Sequence, residues 1–89
     1  MKKIDFIYPA VFVKDENDSY QVFFTDLNIY TDGKNLDEAY MNAKDLLLSY
    51  FTYAVKYEID VYKPSSVEQL SKRCRPGELV MLVDALVEF

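Results

Sequence analysis

Thr31-Asp32-Gly33-Lys34-Asn35-Leu36-Asp37-Glu38-Ala39-Tyr40 is where this chain changes period. Before it, apolar and aromatic residues run as they do in strands, and Gly33 ends that pattern. Asn35 is a good helix N-cap, and Glu38 stands three positions later, where a capping box needs it. Asp37 and Glu38 put negative charge in the first turn, which the helix dipole favours. Apolar residues then recur at Leu36, Ala39, Tyr40, Ala43, Leu46, Leu47, Tyr50, Ala54 and Tyr57. Those steps of three and four predict a helix over residues 36–57, about 30 Å long.

Upstream lie three strands. Ile4 to Lys14 (IDFIYPAVFVK) is rich in β-branched and aromatic residues, with Phe6, Tyr8, Ala10 and Phe12 on one side and Ile7, Val11 and Val13 on the other. Apolar residues of both parities imply a strand covered on both faces, or half-buried in an oligomer. Pro9 cannot donate to a ladder and belongs at an edge or a bulge. The polar turn Asp15-Glu16-Asn17-Asp18-Ser19 leads to a strand from Tyr20 to Thr25, and Asp26-Leu27-Asn28 turns into a third from Ile29 to Asp32. Short links make this an antiparallel meander.

Downstream of the helix, Ile59 to Pro64 leaves the pattern. Ser65 to Leu70 repeats a helix-start signature and predicts one or two turns. Arg75-Pro76-Gly77 is a turn, and Glu78 to Phe89 (ELVMLVDALVEF) reads as a buried strand. The order is β-β-β-α-β with a short extra helix before the last strand. The expected fold is α+β in two layers: a four-stranded, mostly antiparallel sheet with the long helix across one face, in one domain over residues 1–89. Phe23 and Ile7 imply that the other face is partly covered, and a dimer is expected.

Composition narrows the function. The 89 residues are 51% hydrophobic with a net charge of −5, too apolar for a disordered chain. An acidic surface repels phosphate, so it favours a basic partner over direct contact with nucleic acid. There is no histidine, which removes the usual general base and zinc ligand. The one cysteine, Cys74, cannot form an intrachain disulfide and suits a reducing compartment. No secretory signal is apparent, and no apolar run approaches the ~20 residues of a membrane span. A cytoplasmic domain without cofactors is expected.

The order of motifs adds a resemblance. Tyr8-Pro9-Ala10-Val11-Phe12, an acidic turn, Tyr20-Gln21-Val22-Phe23-Phe24-Thr25-Asp26-Leu27, Gly33-Lys34-Asn35-Leu36-Asp37-Glu38-Ala39, Pro64-Ser65-Ser66 and Gly77-Glu78-Leu79-Val80 follow one another with matching spacings. Over nearly its whole length the chain resembles the HicB-type antitoxin family. It departs at Thr25, where the family usually has proline, and at Asn28-Ile29-Tyr30, where Pro-Gly-Cys is usual. The resemblance implies a fold similar to a reduced ribonuclease H domain, and a non-enzymatic role: binding and blocking a small basic HicA-like toxin that cleaves mRNA. Many members add a C-terminal DNA-binding segment, which has no counterpart in these 89 residues.

Several residues invite a functional reading. Asp15, Asp18, Asp26 and Asp32, with Tyr30, lie on or beside the hairpin turns. They could be plain turn residues, carboxylates steering a basic toxin, or ligands of a magnesium-dependent nuclease. Asp26 matches the acidic position of the family's F-P-D-L motif. Met41, Leu48 and Val55, seven apart, with Phe51 nearby, form a stripe beside the main helical face. It serves either as an extension of the core or as a contact for a dimer mate or toxin. Lys72-Arg73-Cys74-Arg75 is the one basic cluster; flanking arginines could activate the thiol, and a solvated loop is the plainer reading. Most tyrosines, Tyr40, Tyr50 and Tyr57 among them, are expected to pack in the core. An orphan, self-associating domain with no toxin is the alternative outside the antitoxin class.

Overall fold

The computed structural model describes residues 2–89. Its elements are β1 (Lys3–Lys14), β2 (Tyr20–Phe24), β3 (Ile29–Gly33), α1 (Leu36–Lys56), α2 (Val67–Ser71) and β4 (Glu78–Glu88). One fully antiparallel sheet runs in the order β3-β2-β1-β4, so the first and last strands lie side by side at its centre and edge. β1 and β4 pair from Lys3 opposite Glu88 to Val13 opposite Glu78 without a bulge.

Alternation sorts the side chains onto two faces. Phe6, Tyr8, Ala10 and Phe12 of β1, Val22 and Phe24 of β2, and Val83, Ala85 and Val87 of β4 point towards α1. From the helix, Ala39, Ala43, Leu47, Phe51 and Ala54 meet them. The alanines let the helix lie close to the sheet, and Phe51 fills the space at its far end. Its ring stacks on Phe6 at 4.0 Å and lies 5.0 Å from Tyr8.

The helix starts as its sequence dictates. Asn35 accepts a hydrogen bond from the Glu38 N–H at 2.8 Å. The Glu38 carboxylate reaches back to the N–H of Lys34, one residue before the cap. A β-carbon on Gly33 would stand 2.3 Å from the backbone nitrogen of Ala39, so the entry of the chain into α1 leaves no room for a side chain. The helix ends at Lys56, with Tyr57 as C-cap and Glu58 at φ 52°.

Pro9 lies in an interior strand yet meets the edge expected of it, and the pairing explains how. Lys2 and Phe89 exchange both backbone bonds, so even-numbered residues of β1 bond to β4 and odd-numbered ones face away. Val11 and Val13 use that other side to bond β2, opposite Phe23 and Gln21. The next rung would be Pro9, which has no N–H, and the β2 ladder stops at Val11. From Lys3 to Pro9, β1 is therefore an edge strand on its β2 side.

α2 packs on the face opposite α1. Its Leu70 is buried, and it stands over Val11, Val13 and Phe23. Ser66 caps it through a reciprocal bond with Gln69. This small helix is the partial cover that apolar residues on the second face required.

Candidate partner-binding surface

Charge is distributed unevenly. Residues 14–38 hold seven acidic residues and two lysines, a net of −5, while the rest of the chain has eight of each sign. The fold gathers most of this segment at one end. There the β1–β2 turn, the end of β3 and the first turn of α1 surround a cleft of about 300 Å³ lined by Asp15, Ser19, Tyr20, Gln21, Asp32, Gly33, Lys34 and Glu38. Glu16, Asp18, Asp32 and Asp37 are exposed around it.

The turn that presents these charges is built locally. Asp15 accepts from the Asn17 N–H at 2.8 Å, the Ser19 N–H at 3.2 Å and the Ser19 hydroxyl at 2.6 Å. Those bonds, the Ser19 hydroxyl first, hold its carboxyl below the usual carboxylate range. Asp18 sits at φ 62°, a conformation Asp tolerates, and pairs with Lys14 at 3.1 Å. That contact raises the Lys14 ammonium above its ordinary range.

Asp15, Asp18 and Asp32 thus belong to one acidic end, but Asp26 does not. It lies past the far end of β2, where its carboxylate accepts from the Ser65 N–H at 2.8 Å and the Ser65 hydroxyl at 2.6 Å. Asp26 ties the β2–β3 turn to the connector leading to α2. A second tie lies beside it: the Tyr8 hydroxyl donates to the Tyr62 carbonyl at 2.6 Å. Burial, followed by the charge of Asp26, pushes the Tyr8 phenol up.

Tyr30 is 74% exposed on the face that carries Asp32, its ring 6.2 Å from Phe23. The helical stripe divides. Met41 and Leu48 are exposed and Val55 is half-buried against the core. Phe51 does not belong to it: at 1% exposure it is a core residue, because its position turns it towards β1. Conversely, Tyr57 is exposed, its ring tilted against that of Tyr53 with centroids 4.6 Å apart, instead of joining the core. Tyr62, on the connector after α1, is also exposed, at 80%, and neither it nor Tyr53 was among the expected contact residues. Positions 53 and 62 lie outside the predicted helical face, and that was the available signal.

Among the described residues, no group of three or more His, Cys, Asp or Glu side chains is arranged to hold a metal ion. Cys74 is half-buried beside an apolar hollow of about 300 Å³ between α2 and the sheet, lined also by Val11, Val13, Phe23, Leu70 and Arg73. Lys72 pairs with Glu68 at 3.7 Å, so the basic cluster is partly neutralised on its own helix. No described helix is long and apolar enough to cross a membrane.

A small α+β domain with one acidic end and exposed tyrosines is suited to recognising another macromolecule through its surface. The model of the family described as "HicB_like antitoxin of bacterial toxin-antitoxin system" matches residues 7–73, and the chain belongs to that family. No curated protein and no solved structure matched the chain.

Proposed function

We propose that this protein neutralises a small, basic, HicA-like toxin that cleaves mRNA, by lying over the toxin's active site. Family membership supports a toxin as partner. The observation that carries the choice of a basic one is the segregation of charge: the whole net charge of −5 falls within residues 14–38. A protein that grips RNA must present positive charge, and an acidic end draws it in and orients it. Neutralisation then needs no chemistry from this chain, because covering catalytic groups denies them substrate. The same acidity makes direct RNA or DNA binding unfavourable, and toxin and antitoxin would meet in the cytoplasm.

The test is co-expression with the product of the adjacent reading frame, followed by purification and growth assays. A stable complex and restored growth are expected. A basic, toxic neighbour that neither binds nor is relieved by this folded chain would overturn the proposal.

A further inference from the structure

Among the described residues, three stretches of sheet backbone lack a neighbouring strand. Two are the outer edges, and side chains of α1 reach over both. On β3, the outward-facing Asp32 carbonyl accepts from the Asn42 side-chain amide at 2.9 Å. On β4, the outward-facing Leu82 carbonyl accepts from the Tyr40 hydroxyl at 3.1 Å, and Lys44 pairs with Asp84 at 3.1 Å. The third stretch is the flank of β1 before Pro9. There the N–H and C=O groups of Lys3, Asp5 and Ile7 face the side where β2 has ended, and among the described residues they make no backbone bond on that side. Ile4, between them, is 41% exposed on the face of the sheet that α1 covers elsewhere.

We propose that this flank pairs with the same flank of a second copy, antiparallel about a two-fold axis, joining the two sheets through their β1 strands. A two-fold interface is self-complementary, so each register can be judged from one chain. Centring on Asp5 sets that carboxylate against its own copy, a like-charge pair across strands, which is destabilising. Centring on Phe6 puts Lys3 opposite Pro9, which cannot donate. Centring on Ile4 places Lys3 of each copy opposite Asp5 of the other, twice. It lets those residues exchange backbone bonds in both pairs and brings the two Ile4 side chains together. The outer edges offer no such match: outward positions Leu82, Asp84, Leu86 and Glu88 on β4, and Tyr30 and Asp32 on β3, carry no cation.

Charge exchange in the full chain tests this independently of any toxin. Sedimentation at about 100 µM chain should give twice the 10.4 kDa chain mass, since a dimer is favoured by concentration. Lys3→Asp alone and Asp5→Lys alone should each weaken the dimer about tenfold or more, by setting like charges opposite one another. The double variant Lys3→Asp/Asp5→Lys should restore it. Glu88→Gln, which breaks only the 3.7 Å Lys3–Glu88 pair, should leave it intact. Circular dichroism on each variant confirms folding. A wild-type chain that sediments at 10.4 kDa overturns the inference, as does a dimer indifferent to both single exchanges.

Discussion

The carboxylate of Asp26 is bound by both donors of Ser65, 39 residues further along the chain. The bonds fasten the connector after α1 to the turn after β2, and so place α2 on the second face of the sheet. Hydrogen bonds to a charged group contribute about 1.5–3 kcal/mol each when partly shielded, less where water competes. Asp26→Ala should therefore lower unfolding free energy by about 2–3 kcal/mol in urea titration. Ser65→Ala, which keeps the backbone donor, should cost about half as much. If Asp26→Ala leaves the midpoint unchanged, the tie does not hold the connector.

Much of this architecture is legible in sequence because the cues are local. Asn35 and Ser66 cap helices wherever they stand, and Gly33 marks a boundary at any distance from its neighbours. The meander follows from short turns. What could not be read is what depends on residues meeting from afar. Asp26 looks like an exposed turn acid until Ser65 arrives beside it. Phe51 and Leu48 are both apolar residues near one helical stripe, and only the crossing of α1 over β1 decides which is covered. Pro9 signalled an edge correctly, but only the sheet order shows that the edge lies within an interior strand.

Phe51 and Leu48 separate by consequence. Phe51 is buried between Phe6 and Tyr8, so Phe51→Ala removes ring contacts and leaves a cavity costing about 3–5 kcal/mol. Leu48 is 40% exposed, and Leu48→Lys can keep its aliphatic stem on the surface with its ammonium in water, at a cost of about 1 kcal/mol or less. Thermal melts of the two variants should differ widely. Equal losses would place Leu48 in the core.

At Gly33 the constraint is space. Gly33→Ala would drive a methyl group to 2.3 Å from backbone of α1, which cannot yield without shifting the helix. A loss of about 2 kcal/mol or more is expected. If the alanine variant is as stable as the parent, the close approach of β3 and α1 is wrong.

Asp15 makes the β1–β2 turn sensitive to acid. Its folded-state pKa lies below its unfolded value, so it contributes stability that is present above the unfolded pKa and is lost as pH falls through the folded one. Asp15→Asn removes that titration and should flatten the acid limb of the stability–pH curve. Denaturant midpoints between neutrality and pH 3 test this, the relevant range for a carboxylate held below its usual ~3.9. An unchanged limb would show that the bonds from Ser19 and Asn17 do not favour the ionised form.

Electrostatic capture predicts a rate effect tied to one end of the molecule. Glu16 and Asp32 are exposed at the acidic end, and neither caps a helix with its carboxylate. Glu16→Lys/Asp32→Lys changes the charge there by four units and should slow association with a basic toxin by about tenfold or more at low salt. Dissociation should change less, because steering acts before contact. Raising ionic strength should erase the difference, since charges separated by more than about 8–10 Å are screened near physiological salt. Asp60→Lys is the control: Asp60 is exposed just beyond the C-terminal end of α1, the full length of a 21-residue helix from the acidic end. Stopped-flow association should find it close to the parent. Asp60→Lys changes the charge by two units, so slowing by half the logarithmic effect of the double variant would mean that net charge, and not its placement, governs capture.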